Sequence, residues 1–600
     1  MSVPHGIDRS GAAGGSGAQG LTGSLNDLSD PNADRILFWD DSAGALAWLT
    51  PSNGVGIVGT TISVADYGAS GDGVTDDTSA FTAALALAAG TGGIVYVPEG
   101  VYKITSQLIV DNCVLRGVGT YDWDDTSSGS MFHLTDTVAP AFSLKQGGQI
   151  IGCNFYYPDQ VTTASPTVYP ATVEMFQSGA IKARLVRVEK CHFVNSYHAI
   201  DCAGDTVTPS GPWFRIQDNH ICAINVGISH LYSAVECWIN HNNFTYALWA
   251  AAAAADIRQT ISSNAIAITV GDVDGLNIDN NTIFGFAKGI DVSLTPAILR
   301  ITNNTIDRTY HCIDLDDVGA AGEIQVSGNM LLAKNHNDTL FDARCISISW
   351  GSTTGKSAFL NITGNTFGVS NGDHISHDGS NSANDLTLNV SGNLFMTPGA
   401  TETSAAHYAV DINDTSNANA RLVCHGNFFT NTTNKASNLL TGVRFIGQGA
   451  SITGNYFQSY NTNIDISGMN AATFAVVEGN LSLTEITNAV LFPVNMGQNI
   501  IGNNRWGSQT QGATKNVASA TTVTLPNSDT GFYFITGSTN ITSITASWPH
   551  RKVTLVFAQV LTVTDGSNLV LAGDFITSGN DALTLVCDGA SWYEVSRSAN

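Results

Sequence analysis

Three aspartates near the middle of the chain have the type and spacing of a catalytic carboxyl pair. Asp291 and Asp314 each follow an isoleucine, and Asp316 lies two residues beyond the second. Two carboxyls cleave a glycosidic bond when they lie about 5–5.5 Å apart for retention or roughly 6.5–9.5 Å apart for inversion. Crowding of like charges would raise the pKa of one member and make it the proton donor. The trio is therefore the first catalytic candidate, and an acidic surface patch or a cation site is the alternative.

A second catalytic candidate lies in the sequence NGDHISHDG, residues 371–379. Alternation along a strand would place His374 outward beside Ser376, with Asp373 and His377 adjacent. Histidine is the usual base near neutral pH, so a lyase that works by β-elimination would favour this stretch. A polar loop without chemistry is the alternative.

Three further side chains are candidates for substrate contact. Trp249 and Trp350 could stack on sugar rings, and packing inside the core is the alternative for each. His311, next to the acidic trio, is the third candidate. The sequence shows no metal-ligand spacing, and we expect neither a metal nor a cofactor.

The elements that must position these residues form a repeat. A motif of asparagine, any residue and an apolar residue recurs 23 to 25 residues apart where no insertion intervenes. Side chains alternate before each motif, as in strands, and we expect the asparagine itself to supply a left-handed turn. Similar strands recurring without crossover helices predict a parallel β-helix. The motif positions are Asn219, Asn242, Asn281, Asn304, Asn329, Asn365, Asn393, Asn427, Asn455, Asn480 and Asn504, with Cys191 in one further slot.

A second strand follows each motif and is expected to carry one outward column of residues. The interval is ten residues where no insertion intervenes, and four insertions fall at the same turn. Most members should be solvated surface groups, because side chains alternate faces along a strand and the residue after each inward isoleucine points outward. Loops that grow from one turn of a rigid stack usually carry the function. The short turns that hold the aspartates would form a cleft floor, with residues 249–256 in one wall. The predicted column contains Asp201, Ser229, Thr269, Asp291, Asp314, Ser347, Asp411, Arg444 and Asp465.

Charge and composition exclude several classes of protein. The chain has 50 Asp and Glu against 25 Lys and Arg, which disfavours binding to nucleic acid or to an anionic membrane. No apolar run reaches the roughly 18 residues of a membrane span, and the N-terminus lacks the pattern of a signal peptide, so we expect synthesis in a cytoplasm. The ten cysteines are scattered, and Cys202, Cys312 and Cys345 are predicted to be reduced core residues.

Residues 62–104 resemble the opening of the pectate-lyase-like superfamily of right-handed β-helices. Glycine turns precede a helix that should begin at Asp76, Asp77 and Thr78, run to Ala89 and stop at Gly90. Such a helix would plug the open end of the core. The fold class is therefore all-β, a right-handed parallel β-helix with an N-terminal capping helix.

Both ends of the chain resemble phage tail-fibre and tailspike proteins, in residues 28–49 and 573–598. The resemblance implies a homotrimer on the virion that binds and depolymerises a host cell-surface polysaccharide and is attached to a phage tail or baseplate protein by its N-terminal region. A glycosidase with paired carboxylates is favoured, and a polysaccharide lyase or a non-catalytic virion lectin is the alternative. The Asn-Thr-Asp and Gly-His-Gly motifs of polygalacturonases are absent, so no residue role is transferred.

Three regions follow from these patterns. Residues 1–60 are expected to be an attachment or linker region, because Gly, Ser and Asp dominate there. Residues 62–507 should form the coil, with its capping helix near 76–89. Short strands with turns between them predict a small C-terminal β-sandwich over 515–600, which would cap the coil and help to trimerise it.

Overall fold

The structure is a computed structural model that describes most of the chain from residue 61 onwards and two strands before it. Those strands, Ile36–Asp40 and Ala45–Leu49, pair antiparallel within a unit that spans Met1–Val58, separate from the unit Gly59–Asn600. From residue 61 to 600 the description leaves out residues 120–125, 161–164, 176, 179–180, 203–212, 233–236, 246–260, 262, 294–295, 317–321, 335–342, 350–356, 380–383, 400–405, 415–418, 433–439, 470–472, 483–487, 492–499, 503, 506–514, 526–530 and 548.

Three long parallel sheets coil around one apolar core, which confirms the predicted parallel β-helix. Each full turn of chain passes through sheets I, II and III in that order. Sheet I has 16 strands: Thr61–Ser63, Ile94–Tyr96, Val114–Arg116, Gln149–Ile151, Val186–Glu189, Phe214–Gln217, Cys237–Asn240, Asp274–Asp279, Ile298–Thr302, Gly322–Ser327, Ser357–Thr363, Asp385–Ser391, Arg421–His425, Gly449–Thr453, Phe474–Glu478 and Ile500–Gly502.

Sheets II and III are joined because two long strands, His192–Asp201 and His220–Tyr232, run through both. The other strands of sheet II are Asp72–Asp76, Gly100–Ile104, Ser130–Leu134, Asn154–Tyr156, Asn243–Thr245, Thr282–Phe284, Thr305–Thr309, Met330–Ala333, Thr366–Phe367, Leu394–Phe395, Phe428–Thr430, Tyr456–Gln458 and Leu481–Ser482. The other strands of sheet III are Leu108–Val110, Phe142–Leu144, Ala171–Met175, Ile266–Asp272, Lys288–Val292, His311–Asp316, Arg344–Ser349, Ile375–Asp378, His407–Asn413, Leu440–Ile446, Thr462–Asp465 and Asn488–Leu491. A short antiparallel pair, Gln177–Ser178 with Ile181–Lys182, stands apart from the coil sheets.

The repeated asparagines form a ladder of hydrogen bonds between sheets I and II. Asn304 is buried, and its Nδ2 donates to Asn329 Oδ1 and to Ile278 O, both at 3.0 Å. The same pattern links neighbouring asparagines from Asn219 to Asn504. The predicted left-handed role is wrong for the asparagine itself, because the preceding residue takes that conformation, as Asn303 does with φ 55°.

The strand register confirms the predicted column on sheet III. Asp291 lies beside Thr269 on one neighbouring strand and beside Asp314 on the other, and Asp314 lies beside Ser347. Ser376 fills the slot between Ser347 and Asp411. The four insertions all fall between a strand of sheet II and the following strand of sheet III, as expected.

The α-helix Thr78–Thr91 follows a short 3-10 helix, Val64–Tyr67, and it covers the first turn of the coil and buries Phe81 and Leu85 against it. The predicted end at Gly90 is wrong by two residues, because Gly92 takes the left-handed conformation and its N–H bonds Ala88 O. The neighbouring carboxylates are structural: Asp76 accepts the Thr78 N–H, and Asp77 accepts those of Ser70 and Gly71. No helix among the described residues is long and apolar enough to cross a membrane.

The C-terminal strands surround a second apolar core. A six-stranded sheet of mixed direction holds Lys515–Ala518, Phe532–Thr536, Lys552–Phe557, Ala582–Cys587, Trp592–Ser598 and Leu569–Val570. Two small sheets share this core, one pairing Thr522–Val523 with Ser543–Ile544 and the other pairing Thr562–Val563 with Phe575–Ile576. The first three strands of the large sheet are parallel to one another, which differs from the antiparallel sheets of most sandwiches.

All ten cysteines are buried and free of disulfides. The prediction of reduced core residues is therefore confirmed for Cys202, Cys312 and Cys345. Burial raises the pKa of Cys202 and of Cys345, which keeps these thiols in the unreactive protonated form.

Candidate active site

Two adjacent strands of sheet III bring two aspartates together, and we call Asp291 and Asp314 the acidic pair. Each strand also carries a basic residue three positions ahead of its aspartate, since Lys288 lies beside His311 in the register. Lys288 Nζ donates to Asp291 Oδ1 at 2.8 Å and contacts Asp314 Oδ2 at 2.6 Å. One ammonium group therefore bridges both carboxylates.

The acidic pair is much less exposed than the sequence suggested. Asp291 has 8% and Asp314 6% of its surface exposed, so the expectation of a solvated outward column is wrong here. The reason lies in the same two strands, because Lys288 contacts both carboxylates and His311 Nδ1 lies 3.4 Å from Asp314 Oδ2. The His311 ring in turn stacks on Tyr310 with ring centres 4.6 Å apart.

The surroundings shift the pKa values of the two carboxyls in opposite directions. Burial raises the pKa of Asp291, and the charges of Asp314 and Asp316 add to this against the opposing effect of Lys288. Burial disfavours ionisation of Asp314 as well, but His311 and Lys288 outweigh it and lower the pKa of Asp314 to about 2. Asp291 is thus the better proton carrier and Asp314 is the stable carboxylate.

Asp316 lies beside the acidic pair. Its side chain is exposed and accepts a hydrogen bond from Ser349 Oγ at 2.8 Å. Its negative charge helps to raise the pKa of Asp291. The structure therefore brings all three predicted aspartates into one region. Asp316 influences the acidic pair through its charge.

The second candidate cluster is not arranged as predicted. His374 and His377 are both buried, and His374 Nε2 lies 2.9 Å from Gly368 O, so the expected outward position of His374 is wrong. Burial lowers the pKa of His374 to about 3, which leaves it neutral. Asp373 is hydrogen-bonded by the backbone N–H of Tyr408 and lies 3.0 Å from His407 Nδ1. Neither His374 nor His377 is therefore exposed as a base at the surface.

The remaining candidates divide between described and undescribed parts of the chain. His311 lies beside Asp314, where a substrate bound at the acidic pair would meet it. Trp249, Trp350 and the predicted wall of residues 249–256 lie outside the described residues.

Sequence reasoning missed Lys288, and it placed Arg444 in the outward column without its ion pair. Lys288 could have been found, because it precedes Asp291 by the same three positions that separate His311 from Asp314. Arg444 makes two hydrogen bonds of 2.6 Å to the carboxylate of Asp411 and lies over the Tyr408 ring. Lys288 and Arg444 thus place a cation beside three carboxylates of sheet III, those of Asp291, Asp314 and Asp411.

Residues 61–138 match a family model described as rhamnogalacturonase A/epimerase, pectate lyase-like. The match contains the segment 62–104 and confirms its resemblance to the pectate-lyase-like superfamily. A curated relative, the non-secreted LysM effector LysM19 of Penicillium expansum, is 53% identical over 49 residues, which is 8% of this chain and 4% of that protein.

Similar solved structures include two phage proteins. The pre-mature gene product 12 of bacteriophage phi29 is 15% identical with a TM-score of 0.46, over 85% of this chain and 64% of that one. The Dettilon tailspike protein is 12% identical with a TM-score of 0.36, over 88% of this chain and 78% of that one. The chain thus covers less than two thirds of both LysM19 and the phi29 protein, and no residue role is transferred from any of these relatives.

Replacing Lys288 with methionine should destabilise the protein by about 2–3 kcal/mol near pH 7, between the values typical of exposed and buried ion pairs. The variant keeps the apolar stem but leaves two covered carboxylates side by side without the ammonium that bridges them. The pKa of Asp291, which burial already raises, would then lie further above that of the unfolded chain, so its ionisation opposes folding and the deficit should shrink as the pH falls towards 4.

Denaturation with guanidinium chloride at pH 7 and pH 4.5 measures this effect. Lys552→Met is the matched control, because Lys552 is exposed in the C-terminal sheet. An equal loss of stability in both variants, or a Lys288→Met deficit that grows on acidification, would contradict the bridging role.

Proposed function

We propose that the chain is a phage tailspike that binds and depolymerises a host cell-surface polysaccharide as a retaining endo-glycosidase. The observation that carries the enzymatic part is the acidic pair, whose carboxyls share one ammonium and have opposed pKa shifts. The two oxygens that contact Lys288 Nζ, at 2.8 and 2.6 Å, lie no more than about 5.4 Å apart, which suits the separation of about 5–5.5 Å used for retention better than the roughly 6.5–9.5 Å used for inversion.

Each member of the acidic pair has a defined role in this proposal. Asp291 donates its proton to the glycosidic oxygen as the bond to the leaving sugar breaks, and the Asp314 carboxylate attacks the anomeric carbon to form a glycosyl–enzyme ester. Asp291 then removes a proton from water, which displaces Asp314 and restores both groups. The Lys288 side chain is 32% exposed, so its ammonium group has room to move away when a sugar ring enters between the carboxylates.

Support for the tailspike class comes from the chain outside the acidic pair. The pectate-lyase-like match covers the start of the coil, and residues 28–49 and 573–598 resemble phage tail proteins. In this proposal the N-terminal region attaches the protein to the phage tail, the C-terminal sheets help three copies to assemble, and the substrate is a capsule, an exopolysaccharide or an O-antigen. Light scattering that shows a monomer at micromolar concentration would defeat the trimer.

β-Elimination by a lyase is the second candidate, and His311 is the observation that favours it. Its Nδ1 lies 3.4 Å from Asp314, so Asp314 would orient the ring. The other ring nitrogen is covered and has no hydrogen-bond partner in the part of the chain that the structure describes, and in this reading it removes a proton from a uronate once the bound substrate uncovers it. Lys288 does not suit the role of base, because the two carboxylates outweigh its burial and raise its pKa.

The proposal is tested by spotting the purified protein on lawns of a panel of encapsulated bacteria and by incubating it with their isolated polysaccharides. We expect haloes of stripped capsule on at least one host, together with a rise in reducing ends. Tight binding without any shortening of the polymer would identify a virion lectin and contradict the enzymatic proposal.

A further inference from the structure

We propose that the outer face of sheet I carries a second, non-catalytic site that binds an acidic polysaccharide. The site is built from Trp213, Trp238, Arg187 and Arg215, and we call it the sheet I groove. It lies on a different sheet from the acidic pair. The choice of a polysaccharide as ligand rests on the proposed function, and the preference for an acidic one rests on the groove itself.

The groove follows the register of four neighbouring strands of sheet I. Gln149, Arg187, Arg215 and Trp238 lie side by side in consecutive turns. Parallel strands are about 4.8 Å apart, so this row extends about 14 Å, roughly the length of three sugar rings. An extended glycan lying across the strands would therefore meet one side chain of the row about once per sugar.

Two adjoining cavities give the row its depth. The first, of about 310 Å³, is lined by Gln149, Arg187, Trp213 and Arg215 among others. The second, of about 240 Å³, is lined by Arg215, Gln217, Trp238 and Asn240. Arg215 lines both, so the two cavities adjoin at this side chain.

Both tryptophans of the groove are exposed: Trp238 lies in the row of polar residues, and Trp213 lies just before the strand that carries Arg215. Trp213 has 36% and Trp238 38% of its surface exposed. In the next three turns the position of Trp238 is taken by Asn277, Arg300 and Gln325. Exposing the apolar surface of an indole to water is unfavourable in free energy, and its flat face is a suitable stacking surface for the C–H face of a sugar ring.

The charge of the groove is opposite to that of the whole chain. The protein has a net charge of −25, yet Arg187 and Arg215 line the groove and Arg184 lies over the Trp213 ring at 5.6 Å. Arg187 is 3.7 Å from Glu189, a weak pairing, and among the described residues Arg215 has no ion pair. Guanidinium groups bind carboxylates through paired hydrogen bonds, so the groove suits a polymer that carries uronates or other acidic groups.

The test measures binding of polygalacturonate, alginate and hyaluronate, with neutral dextran for comparison, to the full chain carrying Asp314→Asn to prevent cleavage. We expect at least one acidic polymer to bind more tightly than dextran, with an affinity that falls as salt is added. Adding Trp238→Ala or Arg215→Gln should weaken that binding about tenfold or more. Phe359→Ala, which removes another exposed aromatic ring from the outer face of sheet I, is the matched control and should not.

Three results would overturn the proposal: no preference for the acidic polymers, equal effects of Trp238→Ala and Phe359→Ala, or a change in oligomeric state on Trp238→Ala that makes this face a contact between copies. The failure of the proposed function is distinguishable. A chain that binds acidic polymers through Trp238 but cleaves nothing would retain the groove and lose the glycosidase, whereas a chain that cleaves its host polysaccharide but shows no binding through Trp238 would retain the glycosidase and lose the groove.

Discussion

An Asp314→Asn variant is expected to lose a factor of about 10²–10⁴ in kcat, because the nucleophile of the acidic pair becomes an amide that cannot form the glycosyl ester. Folding should survive the change. Asparagine has nearly the same size, Lys288 still pairs with Asp291, and the side chain of residue 314 points away from the apolar core. Binding of the polysaccharide should also change little, so the loss should appear in kcat and not in KM.

Asp465→Asn is the matched control for this prediction. Asp465 occupies the same outward column of sheet III and pairs in register with Arg444, but its carboxylate bonds the N–H and hydroxyl of Ser467. Its replacement removes a carboxylate from the column without touching the acidic pair. Small, equal effects at both positions would show that the column is structural and that cleavage, if it occurs, uses other groups.

An Asn304→Ala variant is expected to lose about 3–5 kcal/mol of unfolding free energy. The substitution removes the Asn304 partner of Ile278 O and of the Asn281 backbone N–H, and it takes one of three acceptors from the Asn281 side-chain amide, all inside the coil. Each buried polar group left unsatisfied costs about 1–3 kcal/mol. Denaturation with guanidinium chloride, followed by circular dichroism, measures the loss.

Asn389→Ala provides the comparison for the ladder. Asn389 is also an asparagine in a coil strand, but it lies on the outer face of sheet I, where its amide donates to Asn361 Oδ1 at 3.3 Å near solvent. Water can replace that bond, so the cost should stay below about 1 kcal/mol. Equal losses in the two variants would mean that the ladder contributes no more than an exposed amide pair.

The coil could be predicted because the same strand pattern recurs in each turn. An alternation of side chains before each Asn motif defines a strand, and its recurrence fixes the register, which is why Asp291 and Asp314 were correctly placed side by side. The role of the asparagine was harder to predict, because a left-handed turn and a hydrogen-bond ladder both favour a polar residue at a bend. Only the structure shows that Asn303 makes the left-handed turn while Asn304 makes the ladder.

The candidate site could be predicted only in part, because alternation says which side a residue faces and not what covers it. Lys288 and His311 come from the same strands as the acidic pair, and their contacts hide the carboxylates. His374 was misplaced for a related reason: it precedes the strand Ile375–Asp378, so alternation does not apply to it. Its neutral ring packs near Phe367 and Phe395 in the core instead.

The most direct test of the central claim is digestion of a susceptible host polysaccharide in water enriched in oxygen-18, with mass spectrometry of the released oligosaccharides. Hydrolysis through the acidic pair predicts products that gain one labelled oxygen at the new reducing end, and predicts that Asp314→Asn releases almost none. Unlabelled products that each lack the elements of water would show β-elimination. That result, or full activity of Asp314→Asn, would contradict the account.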